Sequence, residues 1–369
     1  MKNANFPPVD TPALLIDLDI ATRNLLSMQE KADKHQAALR PHIKTHKIPE
    51  LALMQLSLGA CGITAAKISE AELMAAAGIN DIFIANQIVT EEKLKRLTDL
   101  AKKIQISVGL DSSSGAHKLS AAFAAVGLRA NYLIEIDSGL NRCGVLPGKD
   151  AVELFQVVDI LPALRFKGIF THAGQVYGVS SYPKVKEVSR LESKLMAETA
   201  QAFREIGVSP QIVSVGSTPT MKVWEGHAGI NEIRPGNYIF NDAMQVALGV
   251  AKPKDCALTV LATVISRPAE VRAVIDAGSK VFALDKGVHG KEMVRGFGLV
   301  LGTKATLERL SEEHGIMTLN PDEKLNIDDR VRIIPNHACT VVNLFDRAYG
   351  VRDGELVEEF KIAARGKVQ

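Results

Sequence analysis

Cysteine is scarce: four in 369 residues, Cys61, Cys143, Cys256 and Cys339, widely spaced and with no Cys-x-x-Cys. That spacing argues against a disulfide framework. Three of the four read as small buried hydrophobes; Cys339 does not and is taken up below. Neither sign of charge is in excess. Lys and Arg number 44 against 42 Asp and Glu, a net charge of +2. A nucleic-acid partner or a charge-held membrane partner is therefore not expected. Long apolar runs are missing, and none approaches the roughly 18 residues that a membrane helix needs. No apolar signal region follows the opening Met1-Lys2-Asn3-Ala4-Asn5, so a cytoplasmic location is expected. Internal repeats and low-complexity segments are also lacking. What remains is ordinary globular composition, 46% hydrophobic and 23% charged. The chain is long enough for two domains, or for one barrel with an appendage.

Short apolar runs alternate with longer amphipathic ones as far as about residue 235. The apolar runs lie at 13–17, 39–43, 62–66, 81–85, 105–110, 131–136, 166–171, 211–215 and 231–234. Helical patterns stand between them, at 91–102, 113–126, 151–159 and, much longer, 182–206. This alternation predicts a parallel sheet with helices outside. About eight units in roughly 240 residues is the size of a (β/α)8 barrel. Nine runs are one too many. Taking 39–43 as the first barrel strand makes 211–215 the seventh and 231–234 the eighth, and leaves 13–17 for a second sheet. Glycine turns then follow strands seven and eight, where barrels commonly bind phosphate. After residue 244 the pattern changes to strands and turns, at 257–266, 271–276, 280–284, 315–319, 330–334, 340–344 and 357–363, with one helix expected at 304–312. The expected fold class is α/β: a (β/α)8 barrel over residues 1–245 and an all-β domain over 246–369.

Several of these strand ends carry chemistry. Leu39-Arg40-Pro41-His42-Ile43-Lys44-Thr45-His46-Lys47 places a lysine at a strand tip. A rigidly held lysine there can meet an aldehyde cofactor. His42, Lys44 and His46 alternate and would share one face of an extended segment; the run reads equally as a solvated basic surface. Gly216-Ser217-Thr218-Pro219 and Arg234-Pro235-Gly236-Asn237 can each offer N–H groups to a phosphate, although the first also reads as a plain capped helix. Arg142, the one cation of Asp137–Gly144, can hold a phenolate or carboxylate, or stand in solvent. His172 could face a cofactor ring and Tyr177 could donate to it. His337 and Cys339, two apart after Pro335, would share one face of an extended segment and suit Zn²⁺. A buried cysteine beside a hydrogen-bonded histidine is the plainer alternative.

Taken in order, these stretches resemble the fold-type III pyridoxal-phosphate enzymes, and within them the D-threonine aldolase/D-serine dehydratase family. The marks are Arg40 to Lys47, Ser69-Glu70-Ala71-Glu72, Asp137 to Gly144, Ser214 to Thr220, Asp276-Ala277-Gly278-Ser279-Lys280, Glu313-His314-Gly315 and Pro335-Asn336-His337-Ala338-Cys339. The resemblance implies an alanine-racemase-like barrel with a C-terminal β domain, and a homodimer with sites near the subunit interface. It matches Lys44 to the cofactor lysine and Arg142 to the arginine near the phenolic oxygen. Tyr177, Thr218, Gly236 and Asn237 match cofactor and phosphate contacts; Ser217 and His172 are expected as cofactor contacts from their own turns. His337 and Cys339 match the metal ligands.

The metal motif divides the family. By resemblance, aldolases carry His-x-Asp and use Mn²⁺, whereas D-serine and 3-hydroxyaspartate dehydratases carry His-x-Cys with Zn²⁺ or another divalent ion. Cys339 and the Ser214–Thr220 stretch point to the dehydratases. Asn343-Leu344-Phe345-Asp346 and Ile362 to Gly366 look more like the aldolases. The expectation is a lyase acting on a D-3-hydroxy amino acid, D-serine or 3-hydroxy-D-aspartate, to give a 2-oxo acid and ammonia. Freed Lys44 would take the Cα proton, and the metal would help the β-hydroxyl leave. The alternatives are retro-aldol cleavage to glycine and an aldehyde, with His289 or a metal-bound water as base, and racemisation, which needs a second base and no metal.

Overall fold

The computed structural model describes residues 6–287 and 292–369. Eight parallel strands form the first sheet: Ala38–Leu39, Ile63–Ala65, Asp81–Gln87, Gln105–Leu110, Ala130–Ile136, Leu164–Thr171, Ile212–Val215 and Glu232–Ile233. The first pairs with the eighth, and a parallel bridge between His42 and Thr64 links the first to the second, so the ring closes. These strands are short and mostly buried, as a parallel sheet with covering helices requires. Ile212–Val215 and Glu232–Ile233 are the seventh and eighth strands, in the places that the count of apolar runs gives them.

Charge fills the barrel below its mouth. Arg40 Nε donates to Glu232 Oε2 at 2.8 Å, and Ser214 Oγ donates to Glu232 Oε1 at 2.6 Å. Buried Arg234 donates to the Thr171 carbonyl at 2.5 Å and to Ser214 Oγ. Its guanidinium carbon lies 5.1 Å from the centre of the Phe170 ring and 5.6 Å from that of Phe83. Each buried charge thus has partners, which its desolvation demands.

The second sheet has nine strands. Ala13–Asp17 lies in it, between Leu258–Ala269, antiparallel, and Arg347–Arg352, parallel. Leu258–Ala269 pairs along its length with three neighbours, and its contact with Arg272–Ile275 closes six of the strands into a second small barrel.

Three local expectations fail here. Residues 304–312 are not a helix: Thr306–Leu310 is a strand paired with Gly315–Thr318, and Leu307 is buried against the core while Glu308 and Arg309 face out. Residues 340–344 are not a strand: Ala338–Val342 is a helix whose buried Ala338, Val341 and Val342 have helical spacing, overriding the β-branched run. Residues 280–284 are likewise helical, in the single turn Ser279–Phe282.

Candidate active site

The strand at the first barrel position stops at Leu39, short of the expected residue 43. Pro41 removes a ladder donor, and the chain turns. His42 caps a 3-10 turn over Ile43–Thr45, its Nδ1 accepting the Lys44 N–H at 3.3 Å. This turn also undoes the expected single face. His42 and Lys44 look into the barrel mouth, whereas His46 is fully buried and bonds Gln55 at 3.3 Å. The metal pair departs from its expected backbone as well. His337 is extended, but Cys339 is in the first turn of the helix Ala338–Val342, and the two side chains still face one cavity.

Lys44, Arg142, His172, Tyr177, Ser217, Thr218, Gly236, Asn237, His337 and Cys339 all line one cavity of about 210 Å³. A second cavity of about 270 Å³ adjoins it. The two share His42, Lys44, Arg142, His172 and Arg234, and the second reaches Gln87 and Glu135. His289 lies outside the described residues.

Electrostatics separates these groups. Burial pushes the Lys44 ammonium below its ordinary value, and Arg142 and Arg234 add to this against Cys339 and Glu70. Burial likewise holds His172 and His42 far below the usual histidine range, with Lys44 adding to both. Neutral His172 places Nδ1 3.3 Å from the Gly216 carbonyl; that bond requires the proton on Nδ1 and leaves the Nε2 lone pair free. Burial pushes the Tyr177 phenol up; its oxygen accepts from Gln245 Nε2 at 3.2 Å. Burial also raises the Cys339 thiol, but His337, Lys44 and the Thr45 hydroxyl 3.2 Å away outweigh it and bring it below its ordinary value. Burial lowers His337, yet Cys339, Asp242 and Asp285 lift it to about 9.

The turns have the form of an anion cradle. The N–H groups of Thr218, Gly236 and Asn237 meet no acceptor among the described residues. Gly216 has φ +129°, and a Cβ there would stand 3.0 Å from Met221 Cγ and 3.1 Å from the Arg234 nitrogen. Asn237 Oδ1 and Gln245 Oε1 are buried with no donor; orphaned polar atoms of this kind await a ligand or ordered water. The residues fit a phosphate. His337 with a depressed thiol fits a borderline-soft cation and leaves coordination positions open.

Sequence reasoning passed over Thr45, Glu135, Glu192, Arg234, Asp242 and Gln245. Arg234 lies inside a quoted motif, so its position was legible. The acids were not, because burial makes them matter and burial is a property of the fold.

Known proteins share this arrangement. Residues 16–243 match the alanine racemase N-terminal domain, and residues 257–351 match the family model described as a putative serine dehydratase domain. The D-threonine aldolase of Arthrobacter sp. is 35% identical over 364 residues, covering 97% of this chain and 93% of that protein. The chain belongs to the D-threonine aldolase/D-serine dehydratase family. Within the family, the D-threo-3-hydroxyaspartate dehydratase of Delftia sp. (strain HT23) is 32% identical over 348 residues, 90% of this chain and 91% of that one. The crystal structure of D-threonine aldolase from Filomicrobium marinum superposes with a TM-score of 0.88 at 34% identity, over 98% of this chain and 97% of that one. A D-threo-3-hydroxyaspartate dehydratase has been solved with a histidine replaced by alanine. It has also been solved with a cysteine two residues further on replaced by alanine, in the metal-free form. The family's fold and its dehydratase members imply pyridoxal phosphate and a metal.

Proposed function

We propose that the protein is a pyridoxal-phosphate- and metal-dependent lyase that converts a D-3-hydroxy amino acid, D-serine or 3-hydroxy-D-aspartate, to a 2-oxo acid and ammonia. The observation that carries this reading is the convergence of Lys44, both glycine turns and the His337/Cys339 pair on one cavity.

Lys44 carries the cofactor aldehyde and, once freed, takes the Cα proton at Nζ. Its burial-lowered ammonium suits both tasks, since each needs the neutral amine. Ser217, Thr218, Gly236 and Asn237 hold the phosphate, with Tyr177 at the edge of the cup. Arg142, 3.5 Å from Glu135, offers its charge to the phenolic oxygen. Neutral His172 lines the ring and adds no positive charge beside Lys44. His337 and Cys339 hold the metal; thiolate softness favours zinc, with manganese the alternative. When bound, the cofactor delocalises the electron pair left at Cα, and the metal acts as a Lewis acid at the β-hydroxyl.

Retro-aldol cleavage is the second reading, favoured by the 35% identity to a D-threonine aldolase over nearly the whole chain. Product identification separates the two when D-serine, D-threo-3-hydroxyaspartate and D-threonine are offered separately with Zn²⁺ or Mn²⁺. We expect a 2-oxo acid and ammonia. Glycine with an aldehyde would establish the aldolase, and an L-enantiomer a racemase. Lys44→Ala should lose the visible absorbance of lysine-bound cofactor, and a variant that keeps it would remove Lys44 from its role. Chelation should stop turnover and leave the cofactor bound. A homodimer and a cytoplasmic location belong to the same reading; among the described residues no helix is long and apolar enough to cross a membrane.

A further inference from the structure

Asp242 has no part in the roles above, yet it bonds one group that does, Asn237, and the backbone beside others. It is 1% exposed. Its Oδ1 accepts the Gln245 N–H at 3.1 Å and so caps the short helix Ala243–Ala247. A cap needs only one oxygen. The other, Oδ2, accepts from Asn237 Nδ2 at 2.6 Å and from the Ala338 N–H at 3.0 Å. Asn237 belongs to the cradle, and Ala338 stands between His337 and Cys339. The capped helix also presents Gln245, whose Nε2 donates to the Tyr177 hydroxyl at 3.2 Å. The segment before the metal pair docks on the same helix, the Met244 N–H donating to the Asn336 carbonyl at 3.3 Å.

We propose that Asp242 is a positioning residue that couples the two binding sites, so that cofactor and metal each tighten the other's binding. This rests on the reading of the cradle as the phosphate site and of His337/Cys339 as the metal site. A cation on the pair fixes the turn and with it the Ala338 N–H. A phosphate in the cradle fixes Asn237. Both hold the same carboxylate, so whichever ligand arrives second meets partners that are already ordered. Only an acceptor-only group serves here. All three neighbours are N–H donors, and an amide in place of the carboxylate would set an NH₂ against at least one of them. Asp242→Asn therefore keeps the volume, and either orientation of its amide breaks one arm: the Oδ2 junction of Asn237 with Ala338, or the Gln245 cap that seats the side chain.

The test measures affinities rather than turnover. The Zn²⁺ dissociation constant of the apoprotein is read by competition with a chromogenic chelator, with and without saturating pyridoxal phosphate. The pyridoxal phosphate constant is then read with and without Zn²⁺. In the native protein each ligand should tighten the other by the same factor, on the order of tenfold, because linkage is reciprocal. In Asp242→Asn the factor should fall toward one while both ligands still bind. A purely structural Asp242 would weaken both affinities and leave the factor intact. That outcome, or a factor of one in the native protein, would overturn the proposal. Should Asp242→Asn fail to fold, Asn237→Ala removes only the cradle arm and should abolish the coupling as well; retained coupling there would overturn it. If neither ligand binds the native protein, the functional reading fails and this inference with it. If both bind without coupling, only this inference fails.

Discussion

Glu192 stands behind the Gly216 turn on the helix Tyr182–Glu205, and the fold removes it from water entirely. Its Oε1 takes the Gly216 N–H at 2.8 Å, so that donor is spent and cannot serve a phosphate. Burial pushes the carboxyl from 4.5 up to about 7, against the bond from Gly216 and the charge of Arg234. The folded protein thus holds a proton that the unfolded chain gives up from pH 4.5. This contribution to stability is whole below pH 4.5 and is lost as pH rises to about 7. The loss is about 3 kcal/mol at ~1.4 kcal/mol per pH unit. Glu192→Gln should flatten the fall. Urea unfolding from about pH 5 to about pH 8 reads the slope, and equal slopes in parent and variant would show that Glu192 does not titrate there. Nothing in the helical run around Glu192 marks it out in the sequence. Lys44 and Cys339 stood out in the sequence through the motifs around them, Arg40 to Lys47 and Pro335 to Cys339, and not through residue type alone. Asp242 and Glu192 stand out only through their surroundings in the fold.

The barrel strands could be counted from the sequence because each is a compact apolar run set off by a long amphipathic one. The second sheet was harder, since its strands have one wet face and mixed composition. Thr306–Leu310 buries Leu307 and turns charge outward, a pattern that a helix also produces over so few residues. The barrel's Gly216 turn offers a test at the level of one loop. Gly216 sits at φ +129° with Met221 and the Arg234 backbone against its missing side chain. Gly216→Ala should leave the fold in place and weaken cofactor binding tenfold or more, which is about 1.4 kcal/mol. Titration followed by cofactor absorbance measures this. Parental affinity would show that the turn does not hold the phosphate.

The two sheets are joined at both ends of the chain. Leu14 and Ile16 of Ala13–Asp17 share one continuous core with the barrel residues Leu39 and Ile63. Leu15 faces a smaller cluster with Leu261 and Val351. Deleting residues through Asp17 removes no group from the active-site cavity, yet it splits Leu258–Ala269 from Arg347–Arg352. The shortened chain should lose cooperative unfolding and metal retention together, followed by calorimetry and metal analysis. Cooperative unfolding with full metal content would mean that the strand is dispensable.

The same strand sets a timetable for synthesis. Ala13 pairs with Leu261 and Leu15 with Tyr349, residues made roughly 250 and 330 positions later. At about 5–20 residues per second, the apolar Ala13-Leu14-Leu15-Ile16 leaves the ribosome tens of seconds before either neighbour exists. Throughout that interval it is an unpaired sticky edge that the nascent chain, or a chaperone, has to keep from other chains.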